Sequence, residues 1–270
     1  MTDPSARPPV DVAALKAALT EAHPDIGPLD DELLADGWLP MQHHSRNAAL
    51  EAHYERFLGE PTAVAHESLS KHIHLDINIW PPSRGRDFTI YATSGMSDLP
   101  MSAPDGDGGE PQPYFAELLV ALPGPPEAHQ SPRWSYILDG LRTLARYPHE
   151  NGVWLGPRHT IGDPDERAPL GPGTAMTGYL LHEPRLVVPP AHLDAFSTCV
   201  TPDGEAIDIL TLVPVHHDEM ALRLREGHAG TLVEQLDAAG VTELYDPSRP
   251  SVIARRGLGR TLRRLFGGAG

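Results

Sequence analysis

The stretch Lys71-His-Ile-His-Leu-Asp-Ile-Asn-Ile-Trp80 is the segment of this chain that decides its fold class. Its isoleucine and leucine residues, at positions 73, 75, 77 and 79, alternate with histidine, aspartate and asparagine. This alternation is the period of a half-buried β-strand. Pro81 and Pro82 follow directly and end the strand, because proline has no N–H to donate to a neighbouring strand. The segment therefore predicts a core strand whose polar face meets solvent, other strands or a partner.

Strands and helices occur in mixed order on either side of this segment. Further strands are predicted over Asp87–Thr93, Pro113–Leu122, Val153–Ile161, Thr174–His182 and the nearly continuous apolar run Ala206–Val215. Helices are predicted over Asp11–His23, Ser45–Leu58, Ser131–Tyr147, Asp218–Arg225 and Ala229–Ala239. Pro148 is expected to end the third helix. Because strands and helices do not alternate regularly, the order favours an α+β sheet domain over a barrel or a doubly wound fold.

Composition and charge exclude several classes of function. The chain has 270 residues and a net charge of −16, which argues against a general nucleic-acid binder because phosphates repel such a surface. Its single cysteine, Cys199, excludes an internal disulfide and a multi-cysteine zinc cage, and favours a reducing, cytoplasmic setting. No segment approaches the ~20 consecutive apolar residues of a membrane span.

The pair His72 and His74, followed by Asp76, is the pattern with the most enzyme-like chemistry. Histidines two residues apart on a strand place both imidazoles on one face, an arrangement that metal-dependent hydrolases use to bind zinc or a similar ion. The chain contains fifteen histidines, so a coincidental pair is expected, and the eightfold strand–helix alternation of such hydrolases is absent. A metal site and a non-catalytic strand both remain open at this point.

A second candidate is Thr93-Ser-Gly-Met-Ser-Asp98, which places serines beside a glycine. It does not have the Gly-x-Ser-x-Gly spacing of a nucleophile elbow, and no histidine or aspartate partner can be assigned to it. We therefore predict a tight turn in which Gly95 supplies an unusual backbone angle.

Seven stretches taken together resemble the suppressor of fused domain family in its short bacterial form. In chain order they are His66-Glu67, His74-Leu-Asp76-Ile-Asn-Ile-Trp-Pro81-Pro82, Thr93-Ser-Gly-Met-Ser-Asp-Leu-Pro-Met101, Tyr114-Phe-Ala-Glu117-Leu-Leu, Leu144-Ala-Arg-Tyr-Pro-His149-Glu150, Trp154-Leu-Gly-Pro-Arg-His159-Thr and Ile209-Leu-Thr-Leu-Val-Pro214-Val-His-His-Asp-Glu219-Met220. The similarity runs from roughly Ser45 to Pro250. It divides the chain into an N-terminal helical extension (1–40), a suppressor-of-fused-like domain (41–250) and a basic C-terminal tail (251–270).

The resemblance implies a central mixed β-sheet flanked by helices, with no known catalytic activity and no cofactor. Animal members of the family bind and restrain a transcription factor in Hedgehog signalling. Bacterial members are generally proposed to be immunity proteins that neutralise a toxin. An acidic protein can steer onto a basic toxin, so the net charge of this chain fits that function. The runner-up is a metal-dependent hydrolase that uses His72, His74 and Asp76.

The surface that would contact a partner protein is harder to predict than the function. The loop around Asp163, Asp165 and Glu166 is acidic and polar, and we expect it to be exposed. These three residues are therefore the candidate partner-binding residues, together with the polar face of the strand His72–Asn78.

Overall fold

The computed structural model describes residues 13, 16–17, 38–39, 45–67, 70–71, 73–105, 108–163 and 167–253. Most of the predicted helix Asp11–His23 and the arginine-rich segment beyond residue 253 lie outside these residues. The division of the chain at residues 40 and 250 stays a prediction. Within the described ranges, no helix combines the length and the apolar character that crossing a membrane requires.

The described residues form eleven strands. Their bounds are β1 Trp38–Leu39, β2 Ala63–Ala65, β3 Ser70–Lys71, β4 Asp76–Trp80, β5 Phe88–Ser94, β6 Met101–Ala103, β7 Gln112–Pro123, β8 Thr160–Ile161, β9 Met176–His182, β10 Thr198–Val200 and β11 Ala206–His216. Nine of them form one sheet with the order β2-β4-β5-β7-β11-β9-β8, in which β6 pairs with β7 and β10 pairs with β11. β1 and β3 form a separate antiparallel pair.

The large sheet is mixed. Its strands β7 and β11 run parallel, with the register running from Phe115↔Ile207 to Leu119↔Thr211. The other neighbours in the sheet are antiparallel, including β4 with β5 and β9 with β11. β7 and β11 are the longest strands of this sheet and lie at its centre. The residues at the ends of these two strands therefore form the central part of each edge of the sheet.

Five helices are described: α1 Ser45–Leu58, α2 Pro132–Asn151, α3 Leu193–Phe196, α4 His217–Glu226 and α5 Gly230–Ala238. Single turns of 3-10 helix occur at Met96–Asp98, Pro126–Gln130 and Pro190–His192. The prediction of α1 is confirmed at both ends, and the predicted break between α4 and α5 occurs at Gly227, which has a φ of 74°.

Both faces of the sheet are buried under helices. Successive side chains of a strand point to opposite faces, so Leu118 and Leu119 of β7 enter different cores. Leu118 lies in the cluster that includes Ile137 and Leu141 of α2. Leu119 lies in the cluster that includes Tyr54 of α1 and Phe196 of α3. A third cluster joins β9 and β11 to α4 and α5. The predicted α+β architecture, a mixed sheet flanked by helices, is confirmed.

The prediction of one strand over Lys71–Trp80 is wrong in its bounds. The strand β4 begins at Asp76, and residues 73–75 lie outside the strands although Ile73 and Leu75 are each only 3% exposed. The polar face is also not a solvent face, since Asn78 is 7% exposed. The reason is that helices cover both faces of the sheet at this position, so polar residues are buried with the apolar ones.

Two further boundaries differ from the sequence predictions. Pro148 does not end α2 but lies inside its last turn; the helix continues to Asn151, and the N–H of Gly152 donates to the Pro148 carbonyl. A proline near a helix end removes a single hydrogen bond, which the capping contact offsets. The predicted strand Val153–Ile161 is reduced to Thr160–Ile161.

Candidate functional site

Asp76, at the start of β4, is the centre of a cluster of charged side chains. His74 Nε2 lies 2.9 Å from Asp76 Oδ1, and His66 Nδ1 lies 2.9 Å from Asp76 Oδ2. The backbone N–H of Glu67 also donates to Asp76 Oδ1 at 3.2 Å. Both carboxylate oxygens of Asp76 are therefore in contact with residues that precede β4 in the chain.

The charges in this cluster stabilise one another. The contact with the Asp76 carboxylate raises the pKa of His74 above its ordinary value, although burial opposes the shift. Burial alone would raise the pKa of Asp76, but the contacts with His74 and His66 outweigh it and the pKa is lowered. The result is a partly buried pair in which each group favours the charged form of the other.

Glu67 ties this cluster to the helix α2. Its Oε2 accepts a hydrogen bond from the backbone N–H of Leu75 at 3.3 Å. Its Oε1 forms an ion pair with the guanidinium of Arg146. Glu67 is thus attached both to the chain at the start of β4 and to the helix that covers the sheet.

A second carboxylate, Glu117 of β7, is completely buried beneath the neighbouring turn. Its two oxygens accept hydrogen bonds from Thr93 Oγ1 at 2.6 Å, from the N–H of Gly95 at 3.0 Å, and from the N–H and Oγ of Ser97 at 2.9 and 2.6 Å. Burial raises the pKa of Glu117, while these four donors oppose the shift. The serine in this turn is therefore a donor to a buried carboxylate, and its hydroxyl is not directed at a substrate.

Gly95 allows this turn to form, as the sequence predicted. Its φ is 114°, and a Cβ at this position would lie 1.8 Å from the carbonyl oxygen of His74. The close approach joins the Glu117 turn to the Asp76 cluster. His149 Nε2 lies 2.9 Å from the carbonyl oxygen of Met96, so α2 also holds the turn.

Asp98 is a second buried acidic residue in this region besides Glu117, with 5% of its surface exposed. Burial and the nearby Glu117 raise its pKa to about 7. Its carbonyl oxygen lies 3.3 Å from a guanidinium nitrogen of Arg46, which also donates to both carboxylate oxygens of Glu205 at 2.7 Å. Two charged networks thus meet at the turn Met96–Asp98.

The predicted metal-binding trio is only partly described. His72 lies outside the described residues, while His74 and Asp76 direct their polar atoms at each other. An ion would have to displace these contacts in order to bind. Among the described residues, no three histidine, cysteine, aspartate or glutamate side chains are grouped in a way that would hold a metal ion.

The acidic loop that was predicted to contact a partner is described at one of its three residues. Asp163 is exposed and lies two residues after the end of β8. Asp165 and Glu166 lie outside the described residues, so the contact surface proposed from these three side chains stays a prediction.

A groove that the sequence did not predict lies where the parallel strands β7 and β11 separate. Their pairing ends at Leu119 and Thr211. The next part of β7 pairs instead with a distant segment: the N–H of Ala121 donates to the Glu243 carbonyl at 3.2 Å, and the N–H of Tyr245 donates to the Ala121 carbonyl at 2.9 Å. The resulting cavity has a volume of about 570 Å³.

Aromatic, aliphatic and proline residues line most of this groove, and they include Trp134, Val213, Pro214, Leu244, Tyr245 and Val252. Trp134 packs edge-on against Tyr245, with ring centroids 5.9 Å apart. One wall is held by Arg249, which donates to both carboxylate oxygens of the fully buried Glu219 at 2.7 and 2.6 Å. Arg249 also donates to the carbonyl of Pro214 at 2.8 Å.

Two parts of the site were missed for different reasons. Glu117 had a detectable signal, because it is a single charged residue within the apolar run Phe115–Leu122. A charge that a strand buries in this way must be hydrogen-bonded, which predicts a network around it. The groove had no comparable signal, because its walls come from positions more than a hundred residues apart.

Comparison with known proteins agrees with this fold. A family model described as Suppressor of fused protein (SUFU) matches residues 71–250, which is more than half of the chain. No curated protein sequence matches the chain.

Solved structures that are similar to it include the following three. A suppressor of fused homologue from Neisseria gonorrhoeae superposes with a TM-score of 0.54 at 15% identity, over 76% of this chain and 96% of that chain. Drosophila Suppressor of Fused gives a TM-score of 0.48 at 16% identity, over 82% of this chain and 52% of that one. A structure of the Sufu–Fu complex gives 0.44 at 15% identity, over 97% and 96% of the two chains.

Proposed function

Because this chain belongs to the suppressor of fused family, we propose that it is a non-enzymatic protein-binding domain and, more specifically, an immunity protein that neutralises a bacterial toxin. Its partner is then a cognate toxin, and no cofactor takes part. The free and buried Cys199 fits a reducing, cytoplasmic setting for this function.

The observation that carries the proposal is how the motif residues are used. Asp76, Gly95 and Glu117 belong to the stretches that mark the family. Asp76 holds His66, Glu67 and His74 beside β4, and Glu117 joins β5 and β7 to the turn Met96–Asp98. Their polar atoms face one another and the backbone. Residues engaged in this way hold the fold together and do not present free groups for catalysis, which supports a function carried out at the protein surface.

The distribution of charge supports a basic partner. The chain has a net charge of −16, and many of its acidic side chains are exposed, among them Glu51 and Glu55 of α1 and Glu234 of α5. An acidic surface attracts a basic toxin over a distance of about 8–10 Å at physiological salt and accelerates its association. It also covers positive charge that the toxin needs for its own substrate.

We place part of the contact surface at the loop after β8. Asp163 is exposed there, and Asp165 and Glu166 continue the same acidic stretch of sequence. Replacing all three residues with alanine should change the free energy of unfolding by less than about 0.5 kcal/mol, as for other exposed positions. The same variant should associate more slowly with a basic partner.

The experiment that tests this function uses the genes that neighbour this one. Each encoded toxin domain is produced in cells with and without this chain, and growth is recorded. Rescue of growth by one domain, together with its co-purification, is the expected result. If no domain binds at micromolar concentration or tighter, the immunity function is wrong.

Charge variants test the surface separately. Asp163→Lys should lower the association rate and its dependence on salt, whereas Glu234→Lys, at an exposed position on α5, serves as the matched control. An equal effect of both substitutions would indicate general attraction by the acidic body and would exclude the loop as a specific contact.

The alternative function is a metal-dependent hydrolase built on His72, His74 and Asp76. The sequence pattern favours it, because the two histidines and the aspartate are spaced as in metal-binding strands, but the contact of 2.9 Å between His74 and Asp76 would have to open for an ion to bind. Elemental analysis of protein purified without a histidine tag separates the two functions. Stoichiometric zinc, iron or manganese would favour the hydrolase, and its absence would remove this alternative.

A further inference from the structure

The groove between β7 and β11 has the shape of a binding site, and it is separate from the charged cluster around Asp76. It lies at the carboxyl ends of two parallel strands, a position where sheets commonly bind ligands. Its volume of about 570 Å³ falls in the usual range for binding cavities. It opens to solvent, because Pro123, Gly240 and Pro250 on its rim are exposed.

The polar groups of the groove are mostly engaged within the protein. Arg249 is held by Glu219 and by two backbone carbonyls. Asp246 accepts hydrogen bonds from the N–H and Oγ of Ser248 at 2.9 and 2.6 Å. Small-molecule sites combine an apolar lining with a few polar groups that converge on the ligand. In this groove most polar groups already form hydrogen bonds within the protein, so few are left to orient a small molecule.

Arg133 is the exception. It is exposed in the first turn of α2, at the edge of the groove, with its guanidinium carbon 5.4 Å from the centre of the Trp134 ring. Within the described residues it forms no ion pair. The positive end of the α2 dipole lies at the same place, so an anion is favoured beside Arg133, although Asp246 also lines the groove and the protein as a whole is strongly acidic.

We propose that this groove binds an extended segment of a partner protein in which a large apolar side chain is followed by a carboxylate. The apolar side chain packs against Trp134 and Leu244, and the carboxylate pairs with Arg133. Tryptophan and tyrosine supply rigid contact area at interfaces, and such anchors contribute most of the binding energy. The inference rests on the proposed protein-binding function and names a second contact, separate from the acidic loop.

The test uses the full chain and three blocked peptides, Ac-Gly-Leu-Trp-Glu-Gly-NH2 and its glutamine and lysine counterparts. The indole N–H signal of Trp134, assigned by comparison with Trp134→Phe, is followed by NMR during titration. The glutamate peptide should shift this signal and bind about fivefold more tightly than the glutamine peptide, the effect of one partly exposed ion pair. The lysine peptide should bind most weakly.

Arg133→Glu should weaken binding of the glutamate peptide at least about fivefold. The lysine peptide should then bind this variant more tightly than the glutamate peptide does. Arg56→Glu is the matched control, because Arg56 is also exposed on a helix and lies over its neighbour Phe57 at 4.9 Å, but does not line the groove. It should leave the affinity unchanged.

Several results would overturn the inference. They are no shift of the Trp134 signal at millimolar peptide, equal binding of all three peptides, or equal effects of the two arginine variants. Binding of the aromatic anion anilinonaphthalene sulfonate without any peptide would assign the groove to a small molecule instead. If the Arg133→Glu variant binds the toxin with unchanged affinity, the groove is not a partner-binding site, but the proposed immunity function stands. If the chain binds the glutamate peptide but no toxin, the immunity function is wrong, but the groove remains a peptide-binding site.

Discussion

Replacing Asp98 with asparagine should stabilise the protein at alkaline pH and have a much smaller effect in acid. Asp98 is 5% exposed, and burial together with the nearby Glu117 raises its pKa from 3.8 to about 7. The folded protein therefore retains this proton at pH values where the unfolded chain has lost it. The stability that the retained proton provides is fully present below the unfolded pKa of 3.8 and is lost as the pH rises through about 7.

The size of the effect follows from the pKa difference. Each pKa unit corresponds to about 1.4 kcal/mol, so the shift of about three units corresponds to about 4 kcal/mol. Asparagine carries no charge at either pH. The difference in free energy of unfolding between Asp98→Asn and the wild type should therefore increase by about 4 kcal/mol between about pH 4 and about pH 8.

Urea denaturation of both proteins at the two pH values measures this difference. Asp163→Asn is the control, because Asp163 is exposed and its substitution should change the free energy of unfolding by less than about 0.5 kcal/mol at both pH values. A constant difference for Asp98→Asn, or one that falls as the pH rises, would refute the reasoning.

Three further predictions concern the contacts that hold the two sites. Gly95→Ala should lower the free energy of unfolding by at least about 3 kcal/mol, because its Cβ would lie 1.8 Å from a backbone oxygen. Gly59→Ala has open space around it and should lower it by about 1–2 kcal/mol. Equal losses in urea denaturation would contradict this. Arg249→Met should cost about 3–5 kcal/mol, because it leaves the buried Glu219 without its cation. A change in melting temperature no larger than that of an exposed arginine variant would show that the pair is not needed. His74→Gln should lower stability by about 1–2 kcal/mol and release no metal, because its role is to pair with a carboxylate; loss of a bound ion in elemental analysis would reverse that assignment.

Local patterns predicted the elements whose burial is regular. The stripe of apolar residues in Ser45–Leu58 and its glycine stop predicted α1 to the residue. The apolar runs at Pro113–Leu122 and Ala206–Val215 predicted the two central strands within one or two residues. In each case one periodicity and one stop signal determine the element, and tertiary contacts do not change it.

Elements that depend on distant contacts were predicted less well. Alternation continues through residues 73–75, but the carbonyl of His74 packs against Gly95, and the chain enters the sheet only at Asp76. The tight turn at Gly95 was predicted. Its hydrogen bonds to the buried Glu117 were not, because Glu117 is twenty-two residues away in the sequence. Single-sequence patterns do not contain such pairings.

The candidate site shows the same limit. The trio His72, His74 and Asp76 directed attention to the right part of the sheet, and the structure places Asp76 between His74 and His66. The groove, by contrast, is made of β7, β11, the first turn of α2 and the segment after α5. Its existence depends on where two parallel strands separate, which is a property of the assembled sheet.

The most direct test of the proposed function is calorimetric titration of this chain with the toxin domain encoded beside its gene. We expect a one-to-one complex at micromolar affinity or tighter, whose association weakens as the salt concentration rises because opposite charges are screened. If no toxin domain encoded beside the gene gives binding heat or forms a complex at low salt, the proposal that this acidic member of the family neutralises a toxin is wrong.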